Sequence, residues 1–263
     1  HWTKSDAKGT IFIFPGRTGY IEKYGPAAVD FLKRGYATVV IDWRGQGLSQ
    51  RTSNVRAMGD VVRFTDYQHD VIKALDYAQT LELPKPFYLV AHSMGGCIGL
   101  RALHNELPVK AATFAAPMWG ITMSPIIRPI AWLASGLSRK IGMDQTFAPG
   151  QVAESSVARA HFAKNTFSSD QKMFEFMQMQ LCEEPTLSLG GVSMRWLNEA
   201  LGEMRALSKM LSPDTPCRTF LGSKETIVDP SRIRARMANW TDGILHLLDG
   251  AQHEVMLEKL EIR

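Results

Sequence analysis

Ser93 stands in the run Ala91-His92-Ser93-Met94-Gly95, with small residues two places before it and two places after it. That spacing suits a strand-to-helix turn so sharp that bulk at either flank would collide, and such a turn lifts the serine hydroxyl clear of the backbone as a nucleophile. The same turn aims the N–H of Met94 at an oxygen that gains negative charge during acyl transfer. A nucleophilic serine needs a base, and the base needs a group that holds its tautomer. Of seven histidines, His253 alone follows the last apolar run in a glycine-bearing loop, Asp249-Gly250-Ala251-Gln252-His253-Glu254, and is the candidate base. His92 adjoins the serine, but neighbouring side chains on extended backbone point to opposite sides. His69, His104 and His246 fall within predicted helices or a strand and read as structural.

Two carboxylates compete for the third role. Asp229 precedes Pro230 at a predicted helix start, where Asp-Pro is the N-cap and first-turn pattern, so capping already accounts for it. Glu225 lies at the tip of its loop, three residues beyond Gly222, with no such role to explain it, and is the preferred acid. The loop Pro15-Gly16-Arg17-Thr18-Gly19-Tyr20 offers a second backbone donor, the N–H of Arg17, to the oxyanion that Met94 would meet.

These residues must be brought to one edge by the elements that precede them. Apolar runs bounded by Gly, Pro or Asp predict strands at Thr10–Phe14, Tyr36–Asp42, Phe87–His92, Val109–Ala116, Cys217–Gly222 and Ile244–Leu248. Helical patterns fall between them, at Tyr24–Gly35, Asp66–Leu81, Cys97–Leu103 and Pro230–Trp240. Strand alternating with helix predicts an α/β fold with a doubly wound, mostly parallel sheet, which binds ligands at the carboxyl ends of its strands. Serine, acid and histidine then follow in the chain order expected for that fold.

Residues 1–116 and 215–263 supply this core, and residues 117–214 read as an inserted helical cap. In the insertion, Ser168-Ser169-Asp170-Gln171 resembles a capping box, and Met173, Phe176, Met177 and Leu181 share a helical face. Trp196, Ala200, Met204, Leu207 and Leu211 form a second face. Nine of the thirteen methionines lie in this segment, most of them expected to fill the cap's own core. Met118, Trp119, Ile121 and Met123 are expected to face a ligand.

Composition narrows the classes. With 263 residues, 45% hydrophobic and 21% charged, the chain is long enough for one large core and is not a disordered polymer. The net charge of +4 is spread rather than blocked: residues 1–116 carry 14 basic and 10 acidic side chains, the remainder 16 of each. That pattern leaves no nucleic-acid footprint. Three scattered cysteines make no disulfide framework and predict a reducing compartment. The start, His1 to Asp6, carries no signal-peptide core, and no run is long and apolar enough to span a bilayer.

Four segments carry a resemblance to a known group: Phe14-Pro15-Gly16-Arg17-Thr18, Asp42-Trp43-Arg44-Gly45-Gln46-Gly47-Leu48-Ser49, Ala91-His92-Ser93-Met94-Gly95-Gly96 and Gly222-Ser223-Lys224-Glu225. They resemble the α/β-hydrolase superfamily, in particular its lysophospholipase and monoacylglycerol lipase group. The sequence departs from the group's pattern at Pro15, where histidine is usual, at Ala91, where glycine is usual, and at Glu225, where aspartate is more common. The fold's two leading strands have no counterpart here, and the final helix is short, as in a fragment.

The resemblance implies a serine hydrolase with Ser93, Glu225 and His253 as its triad and Arg17 and Met94 as oxyanion donors. It implies no metal or organic cofactor. The expected substrate is a small-molecule acyl ester or lipid, most simply a lysophospholipid or monoacylglycerol. The expected location is cytoplasmic and peripheral to a membrane, with contact through Ile126, Ile127, Ile130, Trp132 and Leu133 of the cap. Peptidase, small-ester, amide and thioester hydrolysis by the same triad are the alternatives, with a non-catalytic receptor on this fold beyond them.

Overall fold

The computed structural model describes residues 1–263. Its strands are β1 (Thr10–Phe14), β2 (Ala37–Val40), β3 (Phe87–His92), β4 (Ala112–Ala115), β5 (Cys217–Gly222) and β6 (Gly243–Leu248). They form one fully parallel sheet in the order β2-β1-β3-β4-β5-β6. β1 is buried along its whole length, which is why its sequence is apolar on both faces. Helices α1 (Gly25–Lys33), α2 (Tyr67–Thr80) and α3 (Met94–His104) connect the first strands. Between β4 and β5 lie α4 (Ile127–Lys140), α5 (Ser156–Arg159), α6 (Gln171–Glu183) and α7 (Met194–Leu207), and α8 (Pro230–Met237) joins β5 to β6.

Chain order reverses between the neighbours β1 and β3, so the loops after these two strands diverge and open a crevice at their carboxyl ends. β2 is shorter than the predicted Tyr36–Asp42. Its ladder stops at Val40, and the Asp42 carboxylate instead accepts the N–H groups of Ile21 at 2.9 Å and Leu48 at 2.8 Å, fixing the two adjoining loops.

The inserted segment divides by its packing. In α7, Trp196, Ala200, Met204 and Leu207 join the 40-residue core cluster that holds Phe12, Phe14 and Leu89 of the sheet. Leu211 does not continue that face: it lies beyond the helix and is 89% exposed. Val157, Phe174, Met177, Leu181 and Leu187 form a separate cluster that closes on Tyr20 and Leu257, which follow β1 and β6. The α5–α6 part of the segment is therefore seated on loops at the carboxyl edge of the sheet, while α7 belongs to the main core.

Several local expectations need correction. Asp170 alone caps α6, its Oδ1 accepting from the N–H groups of Lys172 and Met173, so the capping box does not form. The buried face of α6 centres on Phe174, and Phe176 is only half-buried. Met118, Met194 and Met204 pack the main core, so the methionines are not chiefly a private core of the insertion. Met118 is buried in the core rather than turned to a ligand, and Trp119 is almost wholly buried, stacking on Trp240. The expected terminal helix is one 3-10 turn, Val255–Leu257.

Candidate active site

β3 ends at His92, and Ser93 then takes φ 50°, ψ −118° before α3 begins. A side-chain-bearing residue in that region is strained by roughly 1–3 kcal/mol and persists only where its surroundings fix it. Here the Ser93 N–H donates to Ala115 O at 3.1 Å, and Ser93 O accepts from Gly96 and Met118, both at 2.8 Å. The flanks are small for steric reasons. A Cβ on Gly95 would lie 2.1 Å from Phe14 O, so no side chain fits. Ala91 is fully buried opposite Gly99, where an added Cβ would stand 3.2 Å from the Ala91 methyl. The bare Gly99 leaves room for the methyl by which Ala91 exceeds glycine.

The three side chains meet. Ser93 Oγ lies 2.9 Å from His253 Nε2, and His253 Nδ1 lies 2.7 Å from Glu225 Oε2. All three residues are buried, Ser93 being 7% exposed. A carboxylate only accepts, so Nδ1 carries the proton and Nε2 presents its lone pair to the serine hydroxyl. Glu225 Oε1 accepts from Ile227 N–H at 2.6 Å and Val228 N–H at 3.0 Å. Burial works to raise the Glu225 carboxyl, but the hydrogen bond and charge of His253 and these two backbone donors outweigh it and hold it below its ordinary value. Burial lowers the His253 imidazole, helped by His92 and opposed by Glu225. His253 therefore stays neutral until below the usual histidine range, and the neutral imidazole is the form that can take a proton.

Asp229 is not brought to His253. Its Oδ1 caps α8 through the Ser231 N–H at 3.0 Å, and its Oδ2 pairs with Arg128 at 3.3 Å. The loop after β1 lies against Ser93, since a Cβ on Gly16 would stand 3.0 Å from Ser93 Cβ. That loop is tied down by Gly16 N–H to Tyr24 Oη at 3.3 Å, Thr18 N–H to Gln46 Oε1 at 2.6 Å and Trp43 Nε1–H to Pro15 O at 2.9 Å. The Arg17 N–H has no acceptor within the protein. Met94 is the first residue of α3, so its N–H lies outside the helical ladder. Arg17 also reaches the insertion, its Nη1–H donating to Gly190 O at 2.7 Å, and burial lowers its guanidinium to about 10.

Three buried ionisable residues beside Ser93, His253 and Glu225 were not anticipated as a group. Lys23 Nζ lies 2.5 Å from Glu254 Oε1, and Glu254 Oε2 lies 3.2 Å from His92 Nε2. The sequence did carry a signal: His92 adjoins Ser93 and Glu254 adjoins His253. Nothing in the sequence marks Lys23. A 270 Å³ cleft lined by Trp119, Ile121, Trp132, Met204, Arg128 and Arg232 among others contains none of Ser93, Glu225 and His253, so Trp119 and Ile121 face a different site from Ser93.

Residues 5–260 match the model of the hydrolase family described as serine aminopeptidase, S33. The chain belongs to that family. Among its relatives, it is 27% identical over 262 residues to a probable lysophospholipase L2 of Haemophilus influenzae, covering 99% of this chain and 82% of that protein. It is 29% identical over 268 residues to lysophospholipase L2 of Escherichia coli K12, covering 96% and 76%. Its fold matches a soluble variant of monoglyceride lipase from Saccharomyces cerevisiae in complex with a substrate analog, with a TM-score of 0.73 at 19% identity over 99% of this chain and 85% of the other. The Paleococcus ferrophilus monoacylglycerol lipase gives a TM-score of 0.73 at 14% identity, over 99% and 91%. The architecture is that of an α/β-hydrolase.

Proposed function

We propose that this family member hydrolyses carboxylic esters of fatty acyl chains, lysophospholipids or monoacylglycerols, through an acyl-serine intermediate on Ser93. The observation that carries the reading is the buried relay from Ser93 Oγ through His253 to Glu225, at 2.9 and 2.7 Å. As Oγ attacks the ester carbonyl, His253 Nε2 takes its proton, and Glu225 stabilises the imidazolium. The N–H groups of Arg17 and Met94 donate to the oxyanion. His253 then returns the proton to the leaving alcohol, and water, activated by the same histidine, releases the fatty acid. The lysophospholipase relatives, matched over nearly the whole chain, favour lipid esters over peptides.

A substrate panel tests this reading. Long-chain monoacylglycerol and lysophosphatidylcholine should be cleaved with kcat/KM about a hundredfold or more above an aminoacyl anilide. Faster cleavage of the anilide would instead make the protein a peptidase.

In this reading the segment beginning at residue 117 is the cap, and α4 is its lipid-facing element. Ile126, Ile130, Leu133, Leu137 and Ile141 recur at helical spacing and are all exposed, Ile126 by 76% and Leu133 by 75%. Arg139 and Lys140 close the helix. Trp132 departs from the expected membrane set: it packs against the core beneath Arg205. No helix is long and apolar enough to cross a membrane, and an amphipathic helix of this kind lies in the interface instead. Replacing Ile130 and Leu133 with aspartate should reduce co-sedimentation with anionic vesicles about tenfold or more while hydrolysis of a short water-soluble ester is unchanged. Undiminished sedimentation would remove α4 from the contact.

A further inference from the structure

The residue before Ser93 and the residue after His253 meet behind the His253 ring. His92 Nδ1–H donates to Ala115 O at 3.0 Å, and its Nε2 lies 3.2 Å from Glu254 Oε2, close but not aligned as a hydrogen bond. The other Glu254 oxygen meets Lys23 Nζ at 2.5 Å. All three side chains are almost fully removed from solvent. The His92 and His253 rings stand 4.7 Å apart, so this group lies directly behind His253. Lys23 belongs to the 3-10 turn Ile21–Tyr24, whose next residue, Tyr24, accepts the Gly16 N–H in the loop that carries Arg17.

The buried Lys23–Glu254 ion pair and the His92 ring against it thus place one member beside each working part: Lys23 near the oxyanion loop, His92 at the elbow and Glu254 beside His253. The ionisation of Glu254 is consistent with that role. Burial works to raise the Glu254 carboxyl, but the charges of His92 and Lys23 outweigh it and hold it well below the usual carboxylate range. An ion pair excluded from water resists being pulled apart, because separating the partners leaves a buried charge alone. The reaction as proposed uses none of these three side chains. Apolar residues of similar size could fill the same space without the risk of an unpaired charge.

We propose that Lys23, Glu254 and His92 are positioning residues: the buried Lys23–Glu254 pair, with His92 packed against it, clamps the loop of His253 against the elbow of Ser93 and the oxyanion loop, and so sets the Ser93–His253 distance. The proposal rests on the hydrolase reading for its kinetic consequence, but not for its structural one. Because positioning acts on the reacting geometry and not on the acyl site, its loss lowers kcat and leaves KM. A misplacement of about 1 Å is enough to lower the rate on the order of a hundredfold.

The test compares Lys23→Met, Glu254→Gln, Lys23→Arg and the double variant Lys23→Met/Glu254→Gln with wild type. The double variant leaves neither member of the Lys–Glu pair as a lone buried charge, so it keeps the comparison available if a single variant does not fold. Two quantities are read: kcat and KM on a fatty acyl ester, and the downfield proton NMR resonance of His253 Nδ1–H. The expected result is a fall in kcat of about tenfold to a hundredfold with KM within about twofold in the Met, Gln and double variants, a broadened resonance in each, and recovery of both by Lys23→Arg. Folded variants that keep wild-type kcat and a sharp resonance would overturn the clamp, as would a rise in KM at unchanged kcat. If wild type turns over no ester, the hydrolase reading falls, and the resonance alone then decides the clamp: sharp in the variants overturns it, broadened supports it.

Discussion

Alanine at Ser93 is expected to lower turnover of a fatty acyl ester by about 10⁵-fold or more, with KM and the thermal unfolding midpoint close to wild type. The size follows from what is removed. Ser93 Oγ is the only group at the elbow that can form the acyl intermediate, and without it His253 Nε2 has no proton to take. The oxyanion donors and the acyl site remain, so the residual rate should still exceed that in water. Stability should change little, because alanine at φ 50° is strained to a similar degree and the backbone bonds through Ala115, Gly96 and Met118 stay in place. Steady-state kinetics and a melting curve check both halves. Turnover within tenfold of wild type in a folded Ser93→Ala protein would end the proposal.

The second large effect separates the two carboxylates. Glu225→Gln is expected to lower kcat by about 10³- to 10⁴-fold, whereas Asp229→Asn should leave it within about threefold. Glu225 uses both oxygens: Oε1 takes the backbone N–H groups of Ile227 and Val228, and Oε2 takes the proton on His253 Nδ1. Glutamine has one carbonyl oxygen. If that oxygen stays with the two backbone donors, the amide NH₂ faces Nδ1 and favours the tautomer with its proton on Nε2. That proton then points at Ser93 Oγ, and the histidine no longer accepts from it. At position 229, asparagine caps a helix about as well as aspartate, and the Arg128 pair it loses is partly exposed and weak. Measured kcat for the two variants decides the matter. The reverse ranking would assign the acid to Asp229.

Most of this site was legible because the residues that define it obey local rules. The strand-to-helix turn could be read from Ala91 and Gly95, since only small side chains fit where the Phe14 carbonyl approaches Gly95. Glu225 could be preferred because Asp229 already had a local explanation, and the structure does give Asp229 that capping contact. The six parallel strands followed from apolar runs separated by helical patterns. What escaped depends on contacts between distant segments. Lys23 and Glu254 are 231 residues apart, and no periodicity predicts a buried lysine. Within the insertion, helical spacing identified α6 and α7 but not their surroundings. Leu211 keeps the spacing yet falls past the end of α7, and Met204 faces the sheet's core rather than a separate one. Trp132 and Leu133 are adjacent on α4, and only tertiary packing decides which of them is covered.

The central claim is that Ser93 is activated by His253. Intact-protein mass after exposure to a fluorophosphonate measures this most directly, with wild type beside Ser93→Ala and His253→Ala. The account predicts one adduct on wild type, none on Ser93→Ala, and on His253→Ala none within the time that saturates wild type. An unmodified, folded wild type, or an adduct that survives Ser93→Ala, would contradict it.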